Sequence, residues 1–298
     1  MQRIINRIKD KPLNHDHDQD SGGLGWNKQR GNVWVDLQPM LDRLFLPFAR
    51  MLVDNVRAGP AQAVLDIGCG TGAITLSLAD TLGPSAYCTG VDVSEAMLDR
   101  ARQRALATGA HNVRFIAGDA QRHRFSPGTF DAVVSRFGVM FFDDPIAAFA
   151  NIGAAMRTGG TMTCVVWRSR EENPFMTAAE RAAGPLLGWK DEPEANSEAP
   201  GQFAFANATH VSRILAAAGW RDVDITPTDV ACSLTEGDLI TYSRRTGRVG
   251  AILPDLEDAL REDVIAKLDA AFADFIVEGQ AAFNAACWII RAKAGSSE

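Results

Sequence analysis

Residues 66–72, Asp-Ile-Gly-Cys-Gly-Thr-Gly, form a glycine-rich turn between a short apolar run and a helix-like segment. Gly68, Gly70 and Gly72 lack the Cβ atoms that would keep a ligand's polar groups away from the main chain. The N-terminus of the following helix offers free N–H groups to a negatively charged part of that ligand. The turn is therefore typical of a cofactor site at the carboxyl end of a parallel strand.

Two further acids follow the next two predicted strands. Asp92 comes twenty residues after Gly72, and Asp119 follows the third strand. At the end of its strand, Asp92 is placed to accept two hydrogen bonds from a ribose diol. Asp119 is placed to meet an adenine amino group. The spacing predicts that an adenosine-containing cofactor lies across the strand ends.

The glycines alone leave two cofactors open. Followed by Ala73, they also satisfy the dinucleotide fingerprint of nicotinamide-dependent dehydrogenases. Asp66 favours the other choice, because an ionised carboxylate beside the turn would repel a pyrophosphate. The same charge suits the ammonium and sulfonium groups of S-adenosylmethionine.

In these residues the chain resembles the class I S-adenosylmethionine-dependent methyltransferases, and most of all their ubiquinone/menaquinone-biosynthesis branch. The matching segments occur in the expected order at residues 64–72, 90–98, 118–120, 130–137 and 156–161. The resemblance covers about residues 60–170. It implies S-adenosylmethionine as cofactor, S-adenosylhomocysteine as product, and O-, C- or N-methylation of a small molecule by direct displacement.

The resemblance also implies roles by position. Asp66 and the backbone of the glycine turn would hold the methionine part, Asp92 the ribose, and Asp119 with the Ala120 amide the adenine. Ser135 would lie near the methionine end, and Trp34 would reach over from the N-terminal segment. The expected cofactor-binding set is Asp66, Gly68, Cys69, Gly70, Gly72, Asp92, Val93, Met97, Asp119, Ala120, Ser135 and Trp34. No metal site is expected.

The elements that position these residues alternate between strand and helix. Strands are predicted at residues 63–67, 86–93, 113–117, 130–135 and 161–167, and helices at 72–82, 95–109 (capped by Ser94) and 145–157. This alternation predicts an α/β fold with a doubly wound parallel sheet. The resemblance implies a Rossmann-like, seven-stranded sheet with an antiparallel last strand, and the late strand-like runs 223–232 and 281–292 fit it.

Three regions are expected along the chain. Residues 1–32 are polar and predict a mobile tail or lid, and residues 33–170 the cofactor-binding core, which opens with one amphipathic helix over 33–56 that adds to the lid. Residues 171–298 are expected to supply a substrate-covering insertion, the late strands and a helical insertion over 238–275. That helical insertion is predicted to break near Gly250 and Pro254.

Composition narrows the class of protein. The chain has 298 residues, 46% of them hydrophobic, and a net charge of −7, which argues against nucleic acid as a partner. It contains no apolar run long enough to cross a membrane and no apolar leader. Its five cysteines lack metal-binding spacing, which favours the reducing cytoplasm. A homodimer is allowed.

Candidates for catalysis are few. A base is needed only if the acceptor is a poorly acidic group, and Arg136 and His210 are the weak candidates. Arg136 is a charge inside an apolar run, so an anionic partner is expected in Asp143, Asp144 or a substrate carboxylate or phenolate. The ubiquinone branch usually has a Leu-His-His type segment where this chain reads Arg136-Phe-Gly-Val-Met. The acceptor class, aromatic, polyketide-like or lipid-quinone-like, is left open.

Two other readings of the sequence are kept. One is a nicotinamide-dependent oxidoreductase. The other is a non-catalytic scaffold that binds the cofactor and uses residues 238–275 as a partner interface.

Overall fold

In the computed structural model, which describes Trp26, residues 30–189 and residues 199–295, the strands form one mixed sheet. Its strands are β1 (Ala63–Ile67), β2 (Tyr87–Asp92), β3 (Val113–Ala117), β4 (Phe130–Arg136), β5 (Met156–Trp167), β6 (Trp220–Thr235), β7 (Ile276–Val277) and β8 (Gln280–Ala294). The spatial order is β3-β2-β1-β4-β5-β8-β6, with β7 paired only to β8. Strands β1 to β5 are parallel, and β8 runs antiparallel to both β5 and β6. The predicted sheet is confirmed, and the two-residue β7 is added to its seven strands.

The helices of the described residues connect these strands or cover them. They are α1 (Gly31–Asp36), α2 (Gln38–Leu44), α3 (Leu46–Arg57), α4 (Ala73–Leu82), α5 (Glu95–Thr108), α6 (Pro145–Ala155), α7 (Pro174–Leu187), α8 (Ala208–Ala217), α9 (Glu236–Arg245), α10 (Gly247–Ile252) and α11 (Asp258–Ala273). Right-handed crossovers place α4 and α5 on one face of the sheet and α6 on the other. The carboxyl ends of the parallel strands therefore meet at one edge, between the two helical layers.

The N-terminal helix is broken where the sequence predicted one continuous element over residues 33–56. Leu37 and Phe45 leave the helical conformation, and Pro39 and Pro47 each stand in the first turn of the helix that follows. Proline lacks the N–H of an interior helical position and clashes with the preceding turn, so the helix restarts at each one. Most of the predicted tail, residues 1–32, lies outside the described residues.

Two other boundaries differ from the prediction. Strand β5 begins at Met156 rather than at residue 161, because Met156 pairs with Phe130 before a register shift in β4. Gly250 lies inside α10 and does not end a helix. A Cβ atom there would lie 2.4 Å from the carbonyl carbon of Arg245, so glycine permits close packing of the turn between α9 and α10.

Asn173 fixes the segment that leaves β5 to the antiparallel strand β8. Its side-chain amide accepts from the Ala286 N–H at 2.9 Å and donates to the Ala286 carbonyl at 2.9 Å, and the side chain is 1% exposed. Because a buried backbone N–H needs a partner, this amide replaces a ladder hydrogen bond. The loop formed by residues 168–173 is thereby held beside the strand ends.

Asn173→Ala is expected to lower the free energy of unfolding by about 2 kcal/mol, because it leaves the buried Ala286 N–H without an acceptor. The measurement is urea denaturation of both proteins. Asn284→Ala is the matched control, because Asn284 is exposed on the same strand. An equal, small loss in the two variants would contradict the clamp.

Candidate active site

A large cavity opens at the carboxyl edge of the parallel strands. Its volume is about 1190 Å³, which exceeds the 300–1,000 Å³ of pockets for a single small ligand. The predicted site residues that line it are Trp34, Gly68, Cys69, Gly70, Asp92, Val93, Met97, Asp119, Ala120 and Arg136. The structure thus brings together ten of the expected residues around a space large enough for two molecules.

The glycine turn requires both of its special properties. Gly68 and Gly70 have φ angles of 67° and 54°, in the left-handed region that side chains disfavour. A Cβ atom on Gly68 would lie 2.8 Å from the Cα atom of Gly138, in the loop after β4. The backbones at the ends of β1 and β4 therefore touch. Gly138 was not identified from the sequence, because it lies outside the glycine motif of the cofactor-binding turn.

Asp92 ends β2 with its carboxylate fixed by the main chain. One oxygen accepts from the Gly70 N–H at 2.8 Å, and the other accepts from the Ser94 N–H at 2.9 Å. Burial raises the pKa of Asp92, and these backbone hydrogen bonds oppose the shift. Each carboxylate oxygen has a further lone pair, so a diol remains a suitable partner. Ser94 stands at the N-cap of α5, but its hydroxyl makes no capping hydrogen bond.

Asp119 and Ala120 lie at the next strand end. A carboxylate oxygen of Asp119 accepts from the Gln121 N–H at 2.9 Å, which fixes the turn after β3. Met97, on the first turn of α5, lines the same part of the cavity and is 4% exposed. The side chains of Asp119 and Met97 are therefore available to the edge and the face of one flat ring.

Asp66 is buried and lies outside the cavity wall. One of its oxygens accepts from the Thr75 hydroxyl at 2.6 Å, and the other, Oδ1, has no hydrogen-bond partner among the described residues. Burial raises the pKa of Asp66 to about 7, while the Thr75 hydroxyl and the charge of Arg136 lower it. Near neutral pH this carboxyl group is therefore part protonated.

Besides Asp66, three predicted site residues do not line the cavity. The Ser135 hydroxyl donates to the Ile67 carbonyl at 2.8 Å and accepts from the Gly138 N–H, which joins the two strand ends. Gly72 takes a left-handed conformation at the N-cap of α4, and a Cβ atom there would lie 2.9 Å from the Cβ atom of Ala101. His210 lies in the first turn of α8, where its backbone N–H donates to the Asn207 side-chain oxygen.

Aromatic rings cover one side of the cavity. The Trp34 ring contacts the Trp26 ring edge to face at 5.2 Å, and Trp26 contacts Phe141 in the same way at 5.5 Å. All three residues line the cavity. The N-terminal helices thus contribute part of its wall, as the lid prediction for Trp34 requires.

An ion pair fastens these helices to the glycine turn. Arg104 on α5 pairs with Asp42 on α2 at 2.7 Å and donates to the Thr71 carbonyl at 2.8 Å. Gln38 donates to the same carboxylate at 2.6 Å. Sequence spacing offered no signal for this contact, because its members are far apart in the chain.

Arg136 has neither of the acidic partners that the sequence suggested within the protein. Neither Asp143 nor Asp144 pairs with it, because Asp144 instead accepts from the Ala147 N–H as the N-cap of α6. The Arg136 guanidinium lies 5.4 Å from the centre of the Phe45 ring and donates to the Phe45 carbonyl at 3.4 Å. In the described part of the chain, the guanidinium makes no other hydrogen bond and no ion pair.

The far end of the cavity is built partly by α9 and α10, which the sequence analysis assigned to no site. Tyr242 lies on α9, and Arg248 on α10 places its guanidinium 4.1 Å from the Trp189 ring. Phe137 stacks flat on Trp167 at 4.3 Å. An amphipathic pattern cannot distinguish a cavity wall from ordinary packing, which is why Tyr242 and Arg248 were missed.

The residues present fit S-adenosylmethionine. The bare backbone at Gly68 and Gly70 allows close approach of a ligand, whereas Asp66, which was expected to hold the methionine part, is buried outside the cavity wall. Asp92 and Asp119 stand at neighbouring strand ends, as a ribose and an adenine require. A cofactor pyrophosphate would instead meet the Asp92 carboxylate directly beside Gly70.

Gly68→Ala is expected to lower the free energy of unfolding by more than Gly109→Ala does. The φ angles of the two glycines are 67° and 68°, where alanine is strained by about 1–2 kcal/mol, but a Cβ atom at Gly109 meets nothing within 4 Å. Only the Gly68 variant adds a clash with Gly138. Thermal and urea unfolding measure the difference; equal losses would show that the strand ends do not touch.

Asp66 is expected to make stability fall as pH rises. Its pKa is about 7 in the fold against 3.8 ordinarily, so the folded state binds the extra proton between these values. Stability from this group is full below about pH 4 and is lost as pH rises through 7, with a slope of up to about 1.4 kcal/mol per unit. Urea unfolding of the wild type and Asp66→Asn from pH 4 to 8 isolates the effect. Parallel pH profiles would contradict the assignment.

Comparison with known proteins agrees with this geometry. Residues 64–160 match a family described as a methyltransferase domain. Aklanonic acid methyltransferase DauC of Streptomyces sp. (strain C5) is 32% identical over 139 residues, which cover 45% of this chain and 63% of that protein. Demethylmenaquinone methyltransferase of Listeria monocytogenes serotype 4a is 28% identical over 141 residues, 45% of this chain and 60% of that one. The chain thus spans less than two thirds of both curated relatives.

A solved structure extends the match to the fold. A methyltransferase from Bacillus halodurans C-125, itself described as putative, superposes with a TM-score of 0.54 at 16% identity, over 83% of this chain and 99% of that one. Its helices and sheet thus follow the same path. Over residues 64–160 this chain is therefore similar to methyltransferase domains, those of the quinone methyltransferase branch among them.

Proposed function

We propose that the protein is an S-adenosylmethionine-dependent methyltransferase that acts on a small, largely planar acceptor. The observation that carries this proposal is the Asp92 carboxylate, fixed by the Gly70 and Ser94 N–H groups at the wall of a cavity of about 1190 Å³. That volume leaves room for an acceptor beside the cofactor.

Methyl transfer needs few catalytic groups from the protein, because the leaving group is neutral. When bound, the cofactor supplies a methyl group on a positively charged sulfur, and that sulfur leaves as a neutral thioether. Asp92 and Asp119 hold the adenosine part, and the buried Asp66 carboxyl group, part protonated near neutral pH, lies behind the glycine turn. Alignment and exclusion of water supply the rest, which the Trp26–Trp34–Phe141 cluster over the cavity would assist.

The acceptor class follows from the lining of the cavity. Aromatic side chains contribute much of the wall away from the acids, and they are Phe45, Phe137, Phe141, Trp167, Trp189, Phe203 and Tyr242. Such surfaces suit a flat aromatic, polyketide-like or quinone-like compound. The names of the relatives, aklanonic acid and demethylmenaquinone methyltransferases, support this range.

Cell location and assembly are part of the proposal. The five cysteines are all buried and unpaired, which supports the reducing cytoplasm. No helix of the described residues is long and apolar enough to span a membrane. The net charge of −7 supports a small molecule rather than a nucleic acid as acceptor. A homodimer stays a prediction that light scattering tests.

Asp92→Asn is expected to weaken binding of S-adenosylhomocysteine at least about tenfold, because hydrogen bonds to a charged group contribute more than neutral ones. Isothermal titration measures the affinity. Asp99→Asn is the control, since Asp99 is an exposed acid on the adjoining helix that pairs with Arg102. Equal affinity in the two variants would remove the ribose role of Asp92.

The same titration separates the other readings of the sequence. Binding of NADH but not of S-adenosylhomocysteine would show a nicotinamide-dependent enzyme. Binding of S-adenosylhomocysteine without methyl transfer to any compound of a broad labelled-methyl screen would support a scaffold.

A further inference from the structure

Arg136 is the last residue of β4, and its guanidinium enters the cavity wall without an anionic partner. Of its five N–H donors, one reaches a protein acceptor, the Phe45 carbonyl at 3.4 Å. Two other arginines of the same cavity are in ion pairs, Arg170 with Glu180 at 2.9 Å and Arg245 with Asp36 at 2.6 Å. Arg181 and Arg248 also line the cavity without an ion pair among the described residues, but Arg181 donates to the Pro174 carbonyl and Arg248 lies on the Trp189 ring. Over the described residues, Arg136 has no such ion pair.

The positive charge of Arg136 is destabilised by partial removal from water. Burial lowers the pKa of its guanidinium, and the carboxylates of Asp42 and Asp66 offset part of that shift from beyond ion-pair distance. Asp42 is already paired with Arg104, and Asp66 with the Thr75 hydroxyl. A desolvated cation with free donors is stabilised most by an anion that binds within hydrogen-bond distance.

The surroundings of the guanidinium are flat and apolar. It lies 5.4 Å from the centre of the Phe45 ring, and the Phe45 ring contacts Phe137 at 5.6 Å. Phe137 is held in a left-handed conformation, with φ of 61°, while its ring stacks parallel on Trp167. A side chain at positive φ is strained, and such strain is found most often at ligand sites. The cation therefore has aromatic faces beside it.

Few groups of the cavity could act as a base for a neutral acceptor. No histidine lines it within the described ranges, and the pKa of Tyr242 is raised to about 12 by burial. The carboxylates of Asp42 and Glu180 are each held in an ion pair with arginine, and Glu171, which also lines the cavity, is exposed. An acceptor that is already ionised needs no base to remove its proton.

We propose that the acceptor is an aromatic acid or phenolate, and that Arg136 binds its anionic oxygen while Phe45 and Phe137 contact its ring. This inference rests on the proposed function and names the substrate class of the same site. The methionine carboxylate of the cofactor offers the same anionic chemistry. The aromatic faces around Arg136 favour the acceptor, because the methionine part is aliphatic and zwitterionic.

The test measures binding rather than turnover. Wild type and Arg136→Gln, each saturated with S-adenosylhomocysteine, are titrated with benzoate, 2-naphthoate and anthraquinone-2-carboxylate and with the neutral primary amide of each acid. The wild type is expected to prefer at least one acid over its amide by about tenfold or more, and the variant is expected to lose that preference. Arg136→Lys keeps the charge but not the planar fork, so it should retain an intermediate preference.

Controls separate the possible causes. Arg291→Gln, at an exposed arginine of β8, should bind the acids as the wild type does. If Arg136→Gln weakens S-adenosylhomocysteine but not 5′-methylthioadenosine, which lacks the methionine carboxylate, the guanidinium holds the cofactor and the inference is wrong. If the wild type prefers no acid over its amide, the inference is also wrong, even should the glutamine variant fail to fold. Failure of the proposed function differs, because the wild type would then bind no S-adenosylhomocysteine.

Discussion

The contact between two stretches of main chain, at the ends of β1 and β4, is the constraint on which the site depends. Gly68 and Gly138 approach so closely that neither position has room for a Cβ atom. The Ser135 hydroxyl joins the same two strand ends by bonding the Ile67 carbonyl. Because this junction fixes the path of the glycine turn, the Gly70 N–H points at Asp92 and sets the carboxylate in the cavity wall. Asp92 and Asp119 are thus positioned by backbone N–H groups rather than by one another.

The remaining walls come from parts of the chain that lie outside the matched domain. Helix α1 adds the Trp34 ring, and helix α2 is joined to the turn through the Arg104–Asp42 ion pair. Helices α9 and α10 add Tyr242 and Arg248 at the far end. The division is physically sensible, since the cofactor end needs rigid strand ends while the acceptor end needs only a surface of matching shape and charge. Under the proposed function, we expect substitutions in these outer segments to change the acceptor without disturbing the cofactor site.

Local patterns were sufficient for the parts of the fold that have local causes. The apolar runs of β1 to β5 and the glycine turn follow from periodicity and from glycine's conformational freedom, so their positions were predictable to within a few residues. Pro39 and Pro47 are visible in the sequence as helix breakers, but the amphipathic pattern over residues 33–56 was given more weight. The burial of Asp66 against Thr75 had none, because it depends on how α4 packs against β1. The same holds for the Gly138 contact and for the walls supplied by α9 and α10, which are tertiary facts.

The central claim is that Asp92 and Asp119 bind the adenosine part of a cofactor whose sulfur carries the methyl group. The most direct measurement is a crystal structure of the protein grown with S-adenosylhomocysteine. The account predicts ribose hydroxyls about 2.7 Å from the Asp92 carboxylate oxygens and an adenine ring between Met97 and the Asp119–Ala120 turn. Ligand density elsewhere in the cavity, with Asp92 bonded only to Gly70 and Ser94, would contradict it.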